Sequence, residues 1–290
     1  MKRLTVQFGL IVIFALVILS CKSSDTSSSN VTQELKSMTF NVRYGSADDG
    51  ANSWQFRKNY VFETVRSFSP DILGVQEALK FQMDELLENL PEYNFVGVGR
   101  DDGIDKGEFS ALLFNKQRFI VDSSGTFWFS DSPTIPGSKT WGNNFTRICS
   151  WAILFDKFFQ KKLLVCNLHL DHESQNSREK SAVQLVEFTD DFISRMPVIV
   201  MGDFNSSYNN ETIKTILRNG FTDTYRDLNN ISPNEGTFNG FEGIGSGEKI
   251  DFIFSNSFFE TISAAIVKKS FNGMYPSDHF PVTAVVKYSK

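Results

Sequence analysis

Hydrophobic positions recur along the chain in two styles: short apolar runs of strand length, and longer segments whose apolar residues fall on one helical stripe. Residues 37–42 read as a strand, and residues 55–68 as a helix with Phe56, Tyr60, Val61, Val65 and Phe68 on one side. Asn52, three residues before Gln55, is placed to cap that helix. Residues 71–76 form a short apolar strand after Pro70, and residues 81–89 a second helix. Strands are then predicted at 95–99, 110–115, 119–129, 148–155 and 163–170. The clearest helix spans 174–195, where Ala182, Leu185, Val186, Thr189, Phe192, Ile193 and Met196 keep helical spacing. A buried strand at 197–201 follows at once, with later strands at 250–255, 261–267 and 281–288.

Helices alternate with strands early and mid-chain, while several strand pairs are joined by short turns. That order predicts an α/β fold with mixed sheets and helices outside them. The 29 phenylalanines supply large apolar side chains for a stacked core. No repeat and no second Pro/Ser-rich linker interrupts the chain after Leu35, so residues 35–290 are expected to form one domain.

The start of the chain has another character. Lys2 and Arg3 precede an apolar run over residues 8–19, too short for a hydrocarbon core that needs about 20 helical residues. Residues 1–20 therefore read as a signal peptide, with a short uncleaved anchor as the alternative. Ile18-Leu19-Ser20-Cys21 resembles the lipobox of bacterial lipoproteins, which implies lipidation of Cys21 and an exported protein held to a membrane, facing periplasm or exterior. The polar residues that follow, to 34, read as a flexible tether. Three cysteines cannot build a disulfide framework, and Cys149 and Cys166 lie within apolar strands, where buried thiols are the expected state. A formal charge of -5 argues against general coating of DNA, which needs a strong positive field, and leaves a nucleic-acid substrate open.

Candidate chemistry lies at strand ends. Asn41 closes Met38-Thr39-Phe40-Asn41, Glu77 follows Gly74-Val75-Gln76, and Asp203 and Asn205 end the run from Val198. Asn167-Leu168-His169-Leu170-Asp171-His172 ends another run, Ile250-Asp251 begins one, and Ser277-Asp278-His279-Phe280-Pro281 precedes the last. One such residue is an ordinary turn or cap, but six fragments in one chain suggest carboxylates gathered around a cation. Oxygen donors with few histidines or cysteines favour Mg2+, or Mn2+, over zinc.

This ordered series resembles the endonuclease/exonuclease/phosphatase superfamily, the DNase I-like fold, over about residues 35 to 288. The resemblance implies a four-layer α/β sandwich of two mixed, mostly antiparallel sheets, and hydrolysis of phosphoesters by metal-assisted attack of water. It implies that Glu77, with Asn41 and Asp278, holds the metal. Asp203 would orient or deprotonate water, and Asn205, His169 and His279 would contact the phosphate. Asp251 would hold His279, and Glu108 would pair with His169. Arg147 suits either a phosphate contact or a structural ion pair. His172 lies beyond the core motif, and Trp54, Trp141 and Trp151 suit either stacking on a substrate or the core. Residues 131–145 read as a long loop near the site.

The expected function is that of a nuclease-like phosphodiesterase. Phosphatase or phospholipase C-type action on sugar phosphates or lipid headgroups is the alternative, and a non-catalytic surface binding protein a third. The expected partner is a phosphoester substrate, met by a monomer anchored to the membrane through its lipid.

Overall fold

The computed structural model describes residues 34–245 and 247–289. The segments read as a signal peptide, the lipidated Cys21 and the tether lie outside the described residues, except Glu34, which opens the first strand. Strand β1 (Glu34–Asn41) lies parallel to β2 (Ile72–Ala78), and the helix α1 (Trp54–Phe68) connects them. After α2 (Lys80–Asn89), β3 (Tyr93–Val96) and β4 (Phe109–Asn115) extend the sheet beyond β2. The last strands, β11 (Phe259–Ile266) and β12 (Val282–Tyr288), complete it on the other side of β1, in the order β11-β12-β1-β2-β4-β3. The second sheet begins with β5 (Phe119–Trp128), β6 (Ile148–Asp156) and β7 (Lys161–His169). It crosses through α3 (Gln175–Ile193) to β8 (Val198–Asp203), which lies parallel to β7. Strand β9 (Phe221–Asp223) and β10 (Asp251–Asn256) finish it, in the order β5-β6-β7-β8-β10-β9, with α4 (Glu211–Arg218) and α5 (Thr224–Leu228) between β8 and β10 in the chain.

Each sheet thus has six strands and one parallel pair, β1/β2 in the first and β7/β8 in the second. Three apolar clusters define four layers. Leu35, Ile72, Leu112 and Val286 of the first sheet meet Leu154, Val165, Ile199 and Ile253 of the second in the centre. Val61, Phe62 and Met83 of the first two helices cover one outer face, and Ala182, Leu185 and Ile213 of α3 and α4 cover the other. This is the α/β sandwich of the DNase I-like fold.

A polar ladder crosses the central layer. Asn167 Nδ2 donates to the carbonyls of Val75 (3.0 Å) and Ala111 (2.8 Å), and its Oδ1 accepts from Gln76 Nε2 (2.6 Å). Gln76 in turn donates to Thr39 Oγ1 (3.0 Å). Buried amides must be satisfied, so this ladder fixes one sheet against the other directly beneath the strand ends. Gly74 makes room for it: a Cβ there would stand 2.6 Å from Asn167 Oδ1.

Most differences from the sequence reading are shifts of element ends. The cap of α1 is Ser53, not Asn52, because residues 50–52 form a 3-10 turn of their own. The inward stripe of α1 is also rotated: Phe56 is exposed, whereas Arg57 is buried. Helices α4 and α5 and strand β9 lie in residues 204–249, where the sequence reading assigned no helix or strand. Gly99, expected within a strand, makes only an isolated bridge to Phe109.

Candidate active site

The parallel pairs β1/β2 and β7/β8 direct their C-terminal ends to the same edge of the sandwich, and these ends carry Asn41, Glu77, His169 and Asp203. The start of the antiparallel β10 adds Asp251, which lies opposite Asp203 in the register. The turn before β12 adds Asp278 and His279. Ser277 Oγ donates to the carbonyl of Asn41 (2.7 Å), which joins that turn to the end of β1. A cavity of about 680 Å³ opens over this edge, lined among others by Glu77, Glu108, His169, Asp203, Asp278 and His279.

Local backbone strain accompanies the site. Glu77 sits at φ 63° and Asn205 at φ 47°, left-handed conformations that cost non-glycine residues about 1–3 kcal/mol each. The β2/β4 register shifts between Val75 and Ala78, and this irregularity turns Glu77 out of the ladder. Its Oε1 accepts from Asn41 Nδ2 (2.9 Å) and its Oε2 from the Tyr44 amide (2.8 Å). Burial opposes its charge, but His279, the Asn41 amide, the Tyr44 N–H and Arg43 together hold its carboxyl below the ordinary value.

Asp203 stands at the centre. Its Oδ2 accepts from Asn41 Nδ2 (3.0 Å) and lies 3.5 Å from His169 Nε2 and 3.8 Å from His279 Nε2. Burial first, and then the neighbouring Asp251, push its carboxyl up to about 7. Asp251 Oδ2 accepts from His279 Nδ1 (2.9 Å). Burial disfavours a charged His279, yet Asp251, Asp203 and Asp278 outweigh it and raise this imidazole well above its ordinary value. His169 is shifted the other way, by burial and then by Arg147 and Arg100. Asn205 Nδ2 donates to His169 Nε2 (3.0 Å) and to the carbonyl of Leu170 (3.0 Å), which leaves the imidazole proton on Nδ1. Glu108 Oε2 lies 3.9 Å from that Nδ1, which has no hydrogen-bond partner, while Arg100 Nη1 donates to Glu108 at 2.5 Å.

The remaining candidates fall at the margin. Arg147 is buried and donates from Nη2 to His172 Nδ1 (2.9 Å), and its Nε and Nη1 have no hydrogen-bond partner. Asp171 Oδ2 lies 3.7 Å from Arg147 Nε. His172 itself is half exposed at the rim. Of the loop at 131–145, Phe145 lines the cavity. Trp54 and Trp141 are buried, Trp151 packs on Phe188, and none of the three lines the cavity. Cys149 and Cys166 are free and buried.

The chain matches the model of the endonuclease/exonuclease/phosphatase family over residues 38–279. The chain belongs to this family. It is also similar to a solved family member from Bacteroides thetaiotaomicron, with 31% identity, a TM-score of 0.82, and coverage of 89% of this chain and 98% of the other. A mannosyl-6-phosphatase of the same organism is 31% identical with a TM-score of 0.80, covering 88% of this chain and all of its own. An uncharacterized protein of Acanthamoeba polyphaga mimivirus is 27% identical over 248 residues, 80% of this chain and 91% of that protein. The family is one of hydrolytic phosphoesterases, and the edge cavity is this chain's candidate site.

Its residues fit a metal ion. Glu77, His169 and Asp203 offer ligand atoms within 4.8 Å of one another, as do Asp203, Asp251 and His279. A carboxyl forced up to about 7 by burial and by a second carboxylate is relieved by a bound cation. Asn41 instead turns its amide NH2 to Glu77 and Asp203 while its Oδ1 accepts from the Arg43 N–H (3.0 Å), and Asp278 Oδ2 lies 3.6 Å from Arg43 Nε, so neither joins these clusters.

Sequence reasoning did not single out Arg43, Arg100 and Arg57. The first two line the cavity. Arg57 lies behind it and donates to the carbonyls of Asn52, Val42, Pro276 and Arg43, tying the loop after β1 to the turn that carries Asp278. The available signal was position: Arg43 follows Asn41 by two residues, and Arg57 is a charge on the inward side of a helix.

Proposed function

We propose that this chain is a divalent-metal-dependent phosphomonoesterase acting on small phosphorylated molecules of the sugar-phosphate class. The observation that carries the reading is the placement of Asp203 Oδ2 between two imidazoles, 3.5 Å from His169 Nε2 and 3.8 Å from His279 Nε2, in a cavity that Arg147 also lines. The similarity to a mannosyl-6-phosphatase over the whole of that protein supports the substrate class. Exposed rim aromatics support it too: Phe145 and Phe238 offer apolar faces on which a sugar ring can rest. The acidic balance of the chain opposes tight binding of a DNA duplex, which draws on many phosphate contacts from Lys and Arg.

A divalent ion, held chiefly by Glu77, would polarise phosphate oxygens when bound. The chain's own groups supply the rest. Asp203, with its carboxyl near neutrality, takes a proton from water as the water oxygen bonds to phosphorus. The bond from phosphorus to the sugar oxygen breaks, and the leaving alkoxide takes a proton from solvent in the open cavity. Charge building on the phosphoryl oxygens is met by protonated His279, by the Asn205 amide and by Arg147. Asp251 keeps His279 oriented and charged throughout.

The purified full chain, incubated with Mg2+ and separately with mannose 6-phosphate, plasmid DNA and sphingomyelin, should release inorganic phosphate from the sugar phosphate much faster than it cleaves either diester. Faster nicking of DNA or release of phosphocholine would transfer the function to a phosphodiesterase.

A further inference from the structure

The end of the sandwich opposite the cavity carries an unusual hairpin. Strands β6 and β7 are joined through Asp156-Lys157-Phe158-Phe159-Gln160-Lys161-Lys162, with Asp156 opposite Lys161 in the register. Phe158 is 63% exposed, one of the most exposed large apolar side chains among the described residues. The hairpin's base is fixed. Arg118 Nη2 pairs with Asp156 Oδ2 at 2.7 Å, its guanidinium lies over the Phe158 and Phe159 rings, and the Phe158 amide donates to Asp156 Oδ1 (2.9 Å). Phe159 packs on Tyr288 with ring centroids 5.6 Å apart, so the inner aromatic is anchored while Phe158 faces outward.

Cations surround this tip. Lys116 is exposed beside it, where its carbonyl accepts from Lys157 Nζ (3.3 Å). Lys161 and Lys162 lead on to a shallow cavity of about 290 Å³ shared with Arg195, Phe258 and Tyr288. Lys162 and Arg195 are bridged to Asp122 (2.7 Å) and Asp191 (3.1 Å), but Lys116, Lys157 and Lys161 have no carboxylate partner among the described residues. This local excess of positive charge stands out in a chain whose formal charge is -5.

We propose that this end docks on an anionic lipid bilayer, with Phe158 entering the headgroup region and the surrounding lysines meeting lipid phosphates. An exposed aromatic ringed by lysines suits the boundary between headgroup and acyl chain, where the ring is buried and ammonium groups reach phosphate. Chain direction supports the same orientation. The described fold begins at Glu34, opposite Lys287 on β12, and the next residue of β12, Tyr288, contacts Phe159 and Asp156. The chain therefore enters at the hairpin end, where an anchored segment would hold that end to a membrane. The catalytic edge lies a strand length away, since β7 runs from Lys161 to His169, about 26 Å at strand rise. Docked in this way, the phosphoesterase cavity faces away from the bilayer toward soluble substrates. This deepens the proposed sugar-phosphate reading and opposes action on lipid headgroups in the same membrane.

The full chain carrying Phe158→Trp tests the docking at the hairpin itself. Vesicles containing brominated phosphatidylglycerol should blue-shift and quench the emission added by the substitution, while vesicles of phosphatidylcholine alone should leave it nearly unchanged. Adding Lys157→Gln, Lys161→Gln and Lys162→Gln should weaken the response about 100-fold in lipid concentration. Unquenched added emission, or an equal response to both lipids, would overturn the proposal. Hydrolysis of p-nitrophenyl phosphate in the same samples reports separately on the enzyme reading, so loss of one result leaves the other interpretable.

Discussion

The two imidazoles of the cavity have the same chemistry and opposite surroundings. His279 has carboxylates on both sides, Asp251 at 2.9 Å from Nδ1 and Asp203 at 3.8 Å from Nε2. His169 is flanked by Arg147 and Arg100, and its Nδ1 has no hydrogen-bond partner. Burial alone would make both neutral, because it disfavours the charged form of each. Local charge reverses the outcome at His279 and reinforces it at His169. One cavity thereby holds a cationic donor and a neutral imidazole about Asp203, a division of labour suited to receiving a phosphate while sparing a base.

The comparison breaks most completely if the shared carboxylate is removed. Asp203→Asn should reduce kcat for phosphate release about 10³-fold with little change in KM, because the water loses its base while the phosphate contacts remain. Steady-state kinetics at saturating Mg2+ would expose a different split.

Asp251→Asn tests the His279 side. The Asp251 charge raises this imidazole, so its loss lowers the pH at which His279 gives up its proton. The alkaline limb of kcat/KM should then move toward acid, with a loss of about 100-fold near neutrality. An unmoved limb would mean that His279 does not act as a cation.

On the His169 side, Arg147→Gln should raise KM about 10-fold through loss of a guanidinium that lines the cavity, with a smaller change in kcat. An unchanged KM would leave Arg147 as a structural partner of Asp171 and His172. The smallest effect is expected at the half-exposed rim, where His172→Ala should change kcat/KM by no more than about threefold. A larger loss would place His172 on the substrate.

The layers and motifs of this molecule were legible because periodicity reports which faces are buried. A strand of apolar residues ending in Asn41 or Asp203 announces both a core and an exit from it. Residues 204–249 were less legible. Helix α5 has five residues and β9 only three, too few for a period to emerge. The stripe on α1 misled for a different reason: hydropathy ranks Phe56 above Arg57, but the carbonyls around Arg57 satisfy a guanidinium that phenylalanine could not replace. The candidate chemical groups were named from strand ends, yet their division into two electrostatic halves was not visible. It depends on Arg100 and Arg147 approaching His169 through space, from elements remote in sequence.

With only three histidines in the chain, 15N NMR of the histidine-labelled, metal-free protein can follow each imidazole through a pH titration, with His172→Ala, His169→Gln and His279→Gln variants for assignment. His279 should stay doubly protonated through neutral pH, while His169 should stay neutral down to well below its ordinary value, with its proton on Nδ1. Two resonances that titrate together near the ordinary imidazole value would contradict this division.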